Sequence, residues 1–142
     1  MAKTYFGSTL TSGSGTLTEA TDGGFVVLTQ TKTITQASTA VVSATFTVPA
    51  GSQLIDIIPD VLTAFDSATT AVLSVGSAAA GTQYVSSVNA KTAGRAATTV
   101  SAAQALAMAD VTTNTSVVAS VTPTGATTAG VVRVTLVYAQ KV

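Results

Sequence analysis

Alternation of apolar and small polar residues with a period of two runs through most of this chain, and no other feature restricts its fold as strongly. Between Val131 and Ala139, Val132, Val134, Leu136 and Tyr138 share one parity, while Arg133, Thr135 and Ala139 take the other. Successive side chains of a strand point to opposite faces, so this pattern predicts a strand with one buried face. The same holds for Val42, Ala44, Phe46 and Val48 against Ser43, Thr45 and Thr47. It holds again for Ala71, Leu73 and Val75 against Thr70, Val72 and Ser74, and for Thr115, Val117, Ala119 and Val121. Tyr84 and Val88 share a parity with Thr82 and Ser86, and Phe25-Val26-Val27-Leu28 runs into Thr29, Thr31, Thr33 and Thr35.

Turn signals punctuate these runs: Asp22-Gly23-Gly24, Pro49-Ala50-Gly51-Ser52, the small-residue loop from Gly76 to Gly81, and Pro123-Thr124-Gly125. About seven or eight short strands result, and the predicted class is all-β, a single jelly-roll-like β-sandwich over residues 25–142. Within 54–65, Ile55, Ile57, Val61 and Phe65 fall on one parity and Asp56, Asp60 and Ala64 on the other. Pro59 interrupts that run, so the strand is expected to be an edge or to be bulged there. Residues 100–110, rich in Ala, Leu, Gln and Met, predict one short helix or a turn-rich crossover. Residues 1–24, rich in Gly, Ser and Thr, read as an extended arm or edge strand anchored by Tyr5, Phe6, Leu10 and Leu17.

Composition then narrows the chemistry. The chain of 142 residues has six basic and six acidic side chains, a net charge of zero, and no histidine, cysteine or tryptophan. Zinc sites of Cys and His, disulfides and His-assisted nucleophiles are therefore excluded. So few cations cannot neutralise a phosphate backbone, which argues against nucleic acid as a partner. The 28 threonines and 20 valines are β-branched and argue against disorder. A neutral, weakly charged exterior is a solubility hazard for a lone monomer and fits a subunit covered by its neighbours. No apolar run reaches the length of a signal-peptide core or a membrane helix, so the expectation is synthesis in the cytoplasm and no membrane partner.

Few residues qualify as a site. Asp56 and Asp60 would stand about 13–14 Å apart along one strand face, too far for a glycosidase pair. A Ca²⁺ site with Asp66 or Asp110 has no supporting loop motif, and these carboxylates read as solvated turn and strand-end groups. Lys91 and Arg95, two cations within five residues, could pair with an Asp across a subunit interface or grip a sugar or phosphate; solvated loop charge is the simpler reading. Tyr5, Tyr84 and Tyr138 are the candidates for stacking on a sugar. The Thr29–Thr35 array resembles one row of an ice-binding surface but lacks the repeat such surfaces need, and ordinary β-propensity accounts for it. No catalytic, cofactor-binding or metal-binding residue is assigned, and the chain does not read as an enzyme.

The series TFTVPAGSQLIDI (Thr45 to Ile57), TAFDSATTAVLSVGSAAAGTQYVSSVNAKTAGR (Thr63 to Arg95) and VVRVTLVYA (Val131 to Ala139) resembles small β-sandwich virion proteins of tailed bacteriophages and related particles. The resemblance covers about residues 40–139 and is closest to capsid decoration, head-spike or head-fibre subunits. It implies a homo-oligomer, a trimer or pentamer, bound to the major capsid protein or another virion protein at the capsid surface. It carries no catalytic residues. Tyr5 and Phe6 of the arm, with Lys91 and Arg95, are the expected interface or partner contacts. The alternative is a tail-associated domain that binds a receptor or a host surface glycan.

Overall fold

The computed structural model describes residues 25–111 and 116–141, together with a short antiparallel pairing of β1 (Thr11–Ser12) with β2 (Gly15–Thr16). Eight further strands follow: β3 (Phe25–Thr35), β4 (Val42–Thr47), β5 (Gln53–Thr63), β6 (Thr70–Gly76), β7 (Val85–Asn89), β8 (Gly94–Arg95), β9 (Ser116–Thr124) and β10 (Val131–Lys141). One helix, α1 (Ala102–Ala109), lies between β8 and β9. The expected arm, with Tyr5 and Phe6, and the outermost residue of one predicted strand, Thr115, lie outside the described residues.

The eight strands form two antiparallel four-stranded sheets, ordered β3-β10-β5-β8 and β4-β9-β6-β7, packed as a sandwich. Four of the pairings are nested: β3 with β10, β4 with β9, β5 with β8, and β6 with β7. That is the ladder of one long hairpin with its tip between β6 and β7. Two more pairings, β10 with β5 and β9 with β6, roll the hairpin onto itself. The product is a jelly roll, with each sheet contributing one face to a shared core.

The alternation read in the sequence fills that core. Val132, Val134, Leu136 and Tyr138 are buried, as are Phe46, Val48, Ala71, Leu73, Val75, Val117, Ala119 and Val121. Ile55, expected beside Ile57, is instead 47% exposed. The register steps from Val137↔Asp56 to Tyr138↔Leu54, so Ile55 is the extra residue of a bulge and Leu54 takes the inward place. A second step, from Val131↔Thr63 to Val132↔Val61, leaves Leu62 as an extra residue, exposed on the same outward parity as Asp60. In β7, Val85 and Val88 are both buried although three residues apart, because Leu73↔Val88 is followed by Val75↔Val85.

Pro59 carries no bulge. Its carbonyl accepts the Ala96 N–H at 3.0 Å on the β8 side. In an antiparallel strand the N–H and C=O of one residue point to the same side, so the donor that proline lacks also faces β8. β8 pairs with β5 only at Asp60 and Val61, so this side of β5 is effectively a sheet edge.

Residues 100–110 form the predicted helix, trimmed to Ala102–Ala109. Ser101 Oγ accepts the Gln104 N–H and Gln104 Oε1 accepts the Ser101 N–H, a reciprocal cap. Gln104 and Met108 face inward, and beyond the helix Val111 exchanges backbone hydrogen bonds with Gly51 and Ser52. Gly51, at φ +76°, makes the turn that β4 needs to enter β5. No helix among the described residues is long and apolar enough to cross a membrane.

Candidate functional site

Three charged side chains form a row on the outer face of the β3-β10-β5-β8 sheet. Arg133 stands opposite Asp60 across β10 and β5, and Asp60 stands opposite Arg95 across β5 and β8. Asp60 accepts from Arg95 Nε at 2.8 Å and Nη2 at 3.3 Å, and from Arg133 Nη2 at 3.1 Å. These hydrogen bonds, Arg95's first and then Arg133's, hold the Asp60 carboxyl below the ordinary carboxylate range, and Asp60 raises the pKa of Arg95 in return. Arg95 therefore finds its aspartate within its own chain. The row is solvent-exposed on both arginines, where ion pairs contribute little net stability.

Beside this row, Asp56, Ile57, Pro59, Arg95, Ala96 and Thr98 line a notch of about 440 Å³. The notch exists because β8 is too short to cover β5. The Ile57 N–H is taken by Asp56 Oδ1 at 2.8 Å, so its edge is already blunted by the chain's own carboxylate.

Lys91 stands at the other sheet. Its ammonium donates to the carbonyls of Ser67 at 2.7 Å and Thr69 at 3.2 Å, closing the loop that leads into β6. With Thr69, Thr70, Ser87 and Asn89 it lines a shallow groove of about 270 Å³. Hydroxyl, amide and ammonium groups converge there, a lining suited to a polar ligand such as a sugar. Of the tyrosines expected to stack on a sugar, Tyr84 is 4% and Tyr138 5% exposed, so neither presents a ring face, and Tyr5 lies outside the described residues. Burial pushes the Tyr84 phenol pKa up, and the Tyr138 hydroxyl accepts from Gln30 Nε2 at 3.1 Å.

Of the other described aspartates, Asp66 braces a loop. Asp66 accepts from the backbone of Thr128 at 2.8 Å and Ala129 at 3.1 Å and from the Thr128 hydroxyl, which lowers its pKa to about 2. Asp110 ends α1. No group of three or more Asp or Glu side chains that could hold a metal ion occurs among the described residues. Lys91 and Arg95, paired in the sequence reading, occupy different places, on the β7–β8 connection and on β8. Sequence reasoning missed Asp60 as the partner of Arg95 and Arg133 as the other end of that row. The polar interruption that Arg133 makes between Val132 and Val134 was the available signal.

No family model, curated protein or solved structure matches this chain.

Proposed function

We propose that this chain is a structural virion protein, a homo-oligomeric decoration, spike or fibre subunit on the capsid surface of a tailed phage or related particle. The observation that supports it best is the strand order β3-β10-β5-β8 over β4-β9-β6-β7. Jelly rolls of this kind recur in viral capsid proteins, in lectins and in cupins. A cupin's metal centre draws on histidine, which this chain lacks, and the two described tyrosines, Tyr84 and Tyr138, are buried and offer a sugar no ring face. The phage-like segments Thr45 to Ile57, Thr63 to Arg95 and Val131 to Ala139 fall on the strands and connections of this roll. Low charge fits a subunit that spends its surface on neighbours rather than on solvent.

Mass spectrometry and immunogold labelling of purified particles from the encoding phage test this directly. The expected result is many copies per particle with label over the head. Particles free of the chain would overturn the reading. A second reading, a tail-associated glycan-binding domain, rests on the groove of Thr69, Thr70, Ser87, Asn89 and Lys91. Label confined to tails, with saturable binding on a host glycan array, would favour it.

A further inference from the structure

We infer that the free edge of β3 is the surface through which two copies of this chain assemble, by antiparallel pairing about a two-fold axis. This rests on the homo-oligomeric reading above and names its interface. The register of β3 with β10 runs unbroken from Phe25↔Lys141 to Thr35↔Val131. The Gln36 N–H continues it, donating to Gly130 O at 2.9 Å. The even residues of β3 therefore direct both backbone groups at β10. The odd residues, Phe25, Val27, Thr29, Thr31, Thr33 and Thr35, direct theirs away from it. Among the described residues nothing bonds to those outward groups, and β1 and β2 pair only with each other.

Pro59 checks this parity independently. Even residues of β10 bond to β3, so its odd residues bond to β5 at Asp56, Ile58 and Asp60. Ile57, Pro59 and Val61 must then face β8, as the Ala96 contact to Pro59 O shows they do.

The other edges are closed to strand addition. On β4, the carbonyls of Thr45 and Thr47 accept from Lys32 Nζ at 2.5 Å and Gln30 Nε2 at 2.7 Å. β8 is two residues long, and β7 is five residues long and out of step with β6. β3 has none of these protections. It is 11 residues long, unbulged, and bears Phe25 at 58% and Val27 at 60% exposure. Its one charged side chain, Lys32, is turned inward onto β4. Among the described residues, the one long, flat edge that can complement it on an identical molecule is another β3. Identical strands that meet this way are antiparallel and related by a dyad. The assembly unit is then two-fold, in place of the trimer or pentamer implied by the phage resemblance.

Two sandwiches meeting along a strand of about 35 Å bury a strip roughly 10 Å deep on each copy, about 700 Å² together. The side chains of Phe25 and Val27 bring this toward the lower bound of about 1,000 Å² for specific interfaces. A concentration-dependent dimer is expected.

Thr31→Pro in the full chain is the test. Its N–H faces the free edge, so proline removes a donor from the interface while leaving the β3–β10 ladder intact, as Pro59 does on β5. Val27→Lys is the second variant and puts a charge that must be desolvated where an exposed apolar side chain enters the interface, without touching the backbone. By sedimentation velocity over a concentration series, the wild-type chain is expected to be dimeric. Either variant is expected to weaken self-association by at least about 100-fold. Amide exchange gives the second readout. Val27, Thr29, Thr31 and Thr33 are protected in the dimer and exchange freely in Val27→Lys, while Leu28, Gln30, Lys32 and Ile34 stay slow in both. An oligomer that survives both variants overturns the β3 assignment while leaving the virion reading intact. A wild-type monomer at every concentration, or odd amides protected in a monomer and so covered by the chain's own segments, also overturns it. The particle labelling above fails or succeeds separately from all three.

Discussion

Replacing Gly130 by alanine measures how firmly the β9–β10 loop is locked to the core. A Cβ built there would lie 2.3 Å from Cδ1, 2.4 Å from Cγ and 2.7 Å from Cε1 of Phe65, a ring 2% exposed. Carbon pairs rest at about 3.5–4.0 Å, so one side must move by more than ~1 Å. Neither side is free to do so. The Gly130 carbonyl accepts Gln36 N–H at 2.9 Å, Asp66 N–H donates to Ala129 O at 3.2 Å, and the Asp66 carboxylate holds Thr128 and Ala129. Overpacking of this kind costs about 2–3 kcal/mol, and the lower entropy of the unfolded alanine chain returns ~0.5–1 kcal/mol. The net loss is about 1–2.5 kcal/mol, or roughly 3–8 °C in midpoint for a domain of this size. Urea titration and thermal melts followed by circular dichroism read both. Phe65→Leu supplies the control: alone it costs about 1–2 kcal/mol, and combined with Gly130→Ala it should recover ~1 kcal/mol or more relative to additivity. A loss under ~0.5 kcal/mol in Gly130→Ala, or strict additivity in the pair, would refute the reasoning.

The Asp66 carboxyl, lowered to about 2 by the Thr128 hydroxyl and two backbone donors, contributes stability at pH values above the unfolded carboxylate range. That contribution drains away as pH falls from about 4 toward 2, so Asp66→Asn should flatten the thermal midpoint over this window. Wild type and variant falling in parallel would count against the Asp66 contacts as its source. Ser101→Ala deletes half of the α1 cap and should cost about 1 kcal/mol in urea unfolding. Phe46→Ala empties a fully buried position beneath the Lys32 ammonium, 5.9 Å from the ring centroid, and should cost about 3–5 kcal/mol by the same measurement.

Strand identity was legible wherever one face alone is buried, because there the side-chain period of two reports burial directly. Val132 through Tyr138 and Val42 through Val48 behave this way, and the class and sandwich followed from them. The errors sit where the period breaks. Ile55 keeps apolar character on the solvent side because a bulge in β5 lets β10 stay straight, and a bulge leaves no local signature in composition. Ser120, polar and on the outward parity of β9, is fully buried because the β6–β7 loop folds over it, its Oγ accepting Ala80 N–H and bonding Ser43. β8 was invisible since two residues carry no period. The surroundings of Lys91 and Arg95 were beyond reach for a related reason: their partners, Ser67, Thr69 and Asp60, lie 22 to 35 residues away and are fixed by how the hairpin rolls.

The disposition of charge bears on how such a domain recognises anything. Four cationic side chains are described, Lys32, Lys91, Arg95 and Arg133, and each is bonded within its own chain, to Thr45, to Ser67 and Thr69, and to Asp60. Among the described residues, no cationic side chain is left free to meet a neighbour; apolar side chains, hydroxyls and the backbone of β3 are. Interactions of that kind are short-ranged and hardly screened, whereas exposed ion pairs weaken as the Debye length shrinks from about 10 Å at 0.1 M salt to ~3 Å at 1 M. Self-association should therefore hold or tighten across that range, since excluded salts such as sulfate strengthen apolar burial. Sedimentation in ammonium sulfate and in sodium chloride separates the two effects. Dissociation on raising sodium chloride alone would mean that the Arg95–Asp60–Arg133 row, and not the strand edge, holds the copies together.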